Sequence, residues 1–168
     1  TTTQEGIVVG LHTALNTAAP IGALIAANKV WWECRMKISS ITTQEISFFA
    51  GLLPVAKIAT PVSTVFATAG SVMAAIDHIG FHKVAAGTTA IKTVHGNGTA
   101  TVLSATAGVI AADTYTKLGM YWNGAIATFY QDGAALTTTL ALAATQFPAG
   151  ANLAWHLAFM DGSGASTN

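Results

Sequence analysis

The chain is poor in cysteine and charge, and each shortage removes a class of explanation. A single cysteine, Cys34, excludes an internal disulfide framework and any zinc site built on several thiolates. Charged residues make up only 8% of the 168 positions, against about 25% in an ordinary globular domain. The usual charged shell is therefore missing, and Ala, Thr, Gly and Ser must cover much of the surface. Seven basic residues balance seven acidic ones, for a formal net charge of zero. The basic residues are scattered, whereas phosphate binding needs clustered Lys and Arg, so no nucleic acid partner is expected. No apolar run reaches the ~18 residues of a membrane span, so no membrane partner is expected either. The first six residues lack the basic start and apolar core of a signal peptide. At this length the chain fits one domain, residues 1–168, with residues 1–5 as an N-terminal arm and 161–168 as a Gly/Ser tail.

Aromatic and β-branched residues in alternation are what the chain does have. Residues 114–133 hold two such runs around Asn123-Gly124, with Asp132-Gly133 after the second. Asn-Gly predicts a type I′ hairpin turn, because both central residues need φ > 0. Alternation puts Leu118, Met120 and Trp122 on one face and Tyr115, Lys117 and Tyr121 on the other. Residues 29–39 alternate as cleanly: Trp32, Cys34, Met36 and Ile38 face inward, Trp31, Glu33, Arg35 and Lys37 outward. Cys34 in that row reads as a buried small hydrophobe. Residues 45–53 place Ile46, Phe48 and Ala50 inward and Phe49 opposite.

Further strands are expected over residues 5–14, 21–26, 78–85, 89–94, 99–105, 136–142 and 151–160, with 107–113 as a connection. Residues 54–76 are broken by Pro54 and Pro61; 62–76 reads as a short helix, a loop or both, with 71–76 the stretch where a helix fits, against Gly70 and the β-branched residues before it. About ten to twelve short strands with regular turn signals and little helix predict an all-β sandwich.

The order of these strands carries a resemblance. Residues 32–38, Trp-Glu-Cys-Arg-Met-Lys-Ile, resemble the strand that many concanavalin A-like jelly rolls write as an aromatic, then acidic-x-basic-x-basic. Phe48-Phe49-Ala50-Gly51-Leu52 is similar to the next strand, Ile79-Gly80-Phe81 to a mid-domain strand, and Lys117-Leu118-Gly119 with residues 129–133 to the late hairpin. Phe147-Pro148 and a last apolar strand complete the pattern. The resemblance implies an all-β concanavalin A-like jelly roll of two antiparallel sheets, a fold that hosts lectins, glycosidases and structural modules.

Glycosidases set two carboxylates on either side of the scissile bond, and the family's glucanases group them as Glu-x-Asp-x-x-Glu. The seven acids here are isolated, and Glu33 sits beside Arg35 and Lys37 in a charge-paired strand, so no catalytic residue is expected and the chain reads as a non-enzyme. The histidines show no close ligand spacing; His78 and His82 share a strand face, and neither metal nor cofactor is expected. Trp31, Phe49, Tyr115 and Tyr121 lie opposite the core faces and are the candidate partner-facing aromatics; such rings mark an interface more often than a sugar platform.

Small chains with Lys-Leu-Gly and Ile-Gly-Phe strands resemble the decoration, or cement, proteins of tailed-bacteriophage capsids. The resemblance implies a homotrimer on the outer capsid surface, with the major capsid protein as partner. A carbohydrate-binding module that takes surface glycans is the alternative.

Overall fold

Two-residue periodicity builds this molecule, and the pairing of strands decides which face of each is inside. The computed structural model describes residues 6–10, 24–39, 41, 46–59, 61–67, 72–84, 88–99 and 101–161. The expected arm at 1–5, most of the tail and most of the expected strand at 21–26 lie outside these residues. The described residues form β1 (Gly6–Gly10), β2 (Val30–Met36), β3 (Ile46–Pro54), β4 (Phe66–Ala67), β5 (Val72–Met73) and β6 (Asp77–Lys83). They continue with β7 (Ala90–Asn97), β8 (Thr101–Val109), β9 (Thr116–Trp122), β10 (Ile126–Gln131), β11 (Ala134–Ala141) and β12 (Leu153–Asp161). A six-stranded sheet runs β1-β12-β3-β6-β7-β8 and a four-stranded sheet runs β11-β10-β9-β2. All pairings are antiparallel.

The core lies between these two sheets. Trp32, Met36, Leu118, Met120, Trp122 and Phe129 of the smaller sheet pack on Phe48, Ala50, Leu52, Ile79, Phe81 and Ile91 of the larger. Phe81 is edge-on to both Trp32 (6.1 Å) and Phe129 (5.5 Å), so three strands interlock through their rings. Each large side chain buried here contributes about 1.5–3 kcal/mol. The inward rows expected for 29–39 and for the late hairpin are thus as observed.

A second, smaller apolar layer lies on the other face of the six-stranded sheet. Two 3-10 turns, Val55–Ala59 and Val62–Thr64, lead into the β4–β5 pair, and Val62, Val65, Phe66 and Met73 bury against Phe49, Leu53 and Val94. This layer corrects two expectations. The helix predicted over 71–76 is absent from its described residues, which instead give strand β5 and a bend. Phe49, expected to face a partner, is fully buried, because its strand is covered on both faces.

Three further differences concern the ends of elements. β8 runs through Val109, into the stretch expected to be a connection. Leu24 to Ala26 contain no strand; Ile25 accepts a hydrogen bond from Trp122 Nε1 (3.0 Å). The type I′ geometry falls at the other Asx-Gly pair: Asp132 and Gly133 both have positive φ (51° and 85°) and join β10 to β11 by two residues. Between β9 and β10 the loop has three residues, with only Gly124 at positive φ (99°). Asn123 spans it, its Oδ1 accepting from the amides of Ala125 and Ile126 (both 2.8 Å).

Candidate functional site: an aromatic cluster on the outer face of the smaller sheet

The outer face of β2, β9 and β10 collects rings in register. Trp31 pairs with Tyr121, and Tyr121 with Thr128. One pair further, Glu33 faces Gly119 and Gly119 faces Tyr130. Gly119 has no side chain to stand between its neighbours, so the rings of Trp31 and Tyr130 meet across β9 at 5.2 Å. Tyr121 closes the group at 6.2 Å from Trp31. Trp31 nevertheless remains 55% exposed, more than a packed core ring allows. Threonines flank the rings: Thr128 on β10 and, on β11, Thr139 opposite it and Thr137, both exposed.

Two lysines on this face are paired with carboxylates. Lys117 Nζ lies 3.4 Å from Glu33 and Lys37 Nζ 3.5 Å from Asp113. The Arg35 guanidinium sits 4.0 Å over the ring of Tyr115, itself 55% exposed. Exposed pairs of this kind contribute ~0–1 kcal/mol each, so they set the face's neutrality more than its stability. Beneath them, burial pushes the Cys34 thiol up to about 11, opposed by its hydrogen bond with the Leu118 backbone and reinforced by Glu33. A thiol so raised is a poor nucleophile at neutral pH.

Of the four candidate aromatics, the structure brings Trp31 and Tyr121 together, puts Tyr115 nearby with Arg35, and removes Phe49 to the covered layer. Tyr130 belongs to the cluster and was missed. Its alternation with buried Phe129 was legible, but its place beside Trp31 depends on the β9–β10 register. His78 and His82 do share one face of β6, both buried. Among the described residues no group of three His, Cys, Asp or Glu is placed to hold a metal ion.

No family model matches the chain, and no curated protein matches it. Solved structures do. A β-glucanase from Bacillus licheniformis is 17% identical with a TM-score of 0.52, over 83% of this chain and 57% of that one. A β-1,3-glucanase from Mycobacterium marinum is 17% identical with a TM-score of 0.50, over 82% and 56%. A family 7 alginate lyase is 10% identical with a TM-score of 0.53, over 91% and 60%. The chain thus spans little more than half the length of these structures. The likeness shows the fold, a concanavalin A-like jelly roll. It also corrects the expectation of a non-enzyme, since these three structures that share the fold are named as enzymes. The exclusion rested on acids scattered in sequence, and only folding decides which side chains converge. Glu5 and Glu45 moreover lie outside the described residues.

Proposed function

We propose that this chain is a structural protein of a tailed-phage particle, a decoration protein that docks on the outer capsid surface and bridges major capsid subunits. The observation that carries the reading is the Trp31–Tyr121–Tyr130 cluster, with Trp31 exposed on a face where Glu33 and Lys117 neutralise each other. Aromatic rings surrounded by small neutral residues are the composition of an interface centre, where charge is depleted and Trp and Tyr supply much of the energy. A trimer would present three such faces, and multivalent attachment makes individually weak contacts collectively tight.

A carbohydrate-binding module is the second reading. The hydroxyls of Thr128, Thr137 and Thr139 beside the rings favour it, as do the glucanase and alginate lyase names of its structural neighbours. One experiment separates the two. Virions assembled without the chain are mixed with purified wild-type or Trp31→Ala protein and sedimented, and the same proteins are applied to a glycan array. Wild-type protein is expected on the particle, with Trp31→Ala weakened on the order of tenfold or more. Absence from particles together with a Trp31-dependent glycan signal overturns the decoration reading in favour of the module.

A further inference from the structure

The six-stranded sheet carries three buried histidines on the face turned away from the sandwich core. His78 and His82 stand on β6; His156 on β12 pairs with Gly51, which pairs with Gly80 between those two. Over them lie residues 55–59, 61–67 and 72–76. Phe66 of this cover stacks on His82 at 5.7 Å, and Phe49 below meets His78 edge-on at 6.2 Å. β4 and β5 pair with each other and with neither large sheet, so the β4–β5 part of the cover is held by apolar contact.

His78 and His156 tolerate this only when neutral. Nδ1 of His78 donates to Ile76 O (2.7 Å) and Nδ1 of His156 to Ala154 O (2.8 Å). A carbonyl can only accept, so both rings are Nδ1–H tautomers and each Nε2 is a bare lone pair. Both Nε2 atoms are buried with no hydrogen-bond partner among the described residues. A proton added there would create a charged donor with nothing to accept from it, a costly state in an apolar layer.

Among the described residues, no carboxylate faces His78 or His156. His95 on β7 and His82 both oppose charging of His78. Lys92 on β7 pairs with His82, and Lys57 is the only charged residue among 55–76. β3 places Ser47 and Phe49 on this face, and neither β1 nor β8 contains a charged residue. The carboxylates at the strand ends, Asp77 on β6 and Asp161 on β12, alternate to the other face.

We propose that the described residues 55–59, 61–67 and 72–76 form an acid-released cover, held on the six-stranded sheet at neutral pH and lifted when the buried His78 and His156 beneath it take up protons. Burial holds His78 at about 4 instead of the ordinary 6.5, against the weaker pull of its bond to Ile76, and lowers His156 for the same reason. The covered form therefore binds fewer protons than the open form between these values. Its advantage is complete above the ordinary imidazole pKa and shrinks as pH falls toward 4. Each pH unit in that window favours opening by up to about tenfold per ring.

Hydrogen exchange of the whole chain, corrected for the intrinsic pH dependence and compared between about pH 7.5 and about pH 4.5, tests this. Amides of residues 62–67 and 72–76 are expected to lose protection on the order of a hundredfold, while those of β9 and β10 keep theirs. Equal protection of the cover at both values, or simultaneous loss from the cover and from β9–β10, overturns the proposal. The double variant His78→Phe/His156→Phe is expected to keep its cover protected in acid; unchanged acid opening in that variant also overturns it. An NMR titration of the wild-type imidazoles needs no variant to fold. Rings of His78 and His156 titrating well below 6.5, with the midpoint of cover opening, are expected; ordinary titration of all five histidines overturns the proposal.

Discussion

Gly51 and Gly80 face each other in register between β3 and β6. A Cβ on Gly51 would stand 2.6 Å from Gly80 Cα and 2.9 Å from Phe49 Cζ. One on Gly80 would stand 2.7 Å from Gly51 Cα. The pair therefore does two things: it lets adjacent strands approach, and it leaves room for the Phe49 ring to lie along its own strand. Because the obstacles to a side chain at Gly80 are backbone atoms, no rotamer change relieves them. Gly80→Ala is expected to destabilise the protein by about 1–3 kcal/mol in denaturant unfolding, the cost of overpacking a tight site. An unchanged midpoint would contradict this account. In the sequence, Ile79-Gly80-Phe81 was legible as strand, but the need for glycine was not. That need arises from the facing glycine twenty-nine positions earlier (80 − 51), which only pairing reveals.

At the level of elements, the late hairpin was the most legible part of the chain and still held a surprise. Its two faces follow alternation: Leu118, Met120 and Trp122 are fully buried and Lys117 is exposed. Both Asx-Gly pairs were visible, yet the tight I′ turn lies at Asp132-Gly133 and the looser loop at Asn123-Gly124. Composition marks a turn, whereas its type is set by the register the flanking strands adopt. Asp132 has a second task beyond its positive φ, since its Oδ1 accepts the Lys117 amide at 2.8 Å and ties the turn to β9. Asp132→Ala removes that acceptor and adds strain at positive φ, and is expected to cost about 1–2 kcal/mol by thermal unfolding. Asp132→Asn keeps an acceptor and tolerates the backbone, so it should recover most of the loss; equal loss in both variants would separate the turn from the side-chain bond. The segment 54–76 was least legible for a related reason. β4 and β5 are two residues each, too short to show a period, and they are ordered by a sheet face already formed by β3, β6 and β12.

For the whole molecule, the sandwich was legible because its strands are half-buried and alternate, while the candidate site was legible only in part. Trp31, Tyr115 and Tyr121 were placed on the solvent side by the same alternation that buried their neighbours. Phe49 was misplaced because alternation identifies a second face and not what covers it. Charge scarcity was visible from composition, and its consequence reaches furthest at this scale. With seven cations and seven anions, few groups titrate between the ordinary imidazole and lysine ranges: burial lowers Lys83 toward that window and pushes the one thiol up to about 11. The sequence pI of about 6.9 is then a misleading guide. Net charge stays close to zero from about pH 7 to about pH 9.5, so electrostatic repulsion between copies is nearly absent across that whole range. Static light scattering is expected to give an osmotic second virial coefficient that is low and flat over this range, with weak dependence on salt. Trp31→Asp adds a charge at the centre of the exposed aromatic face and should raise the plateau. A sharp minimum at the pI with steep recovery by about pH 8.5, or a plateau indifferent to Trp31→Asp, would show that charge scarcity and this face do not govern association.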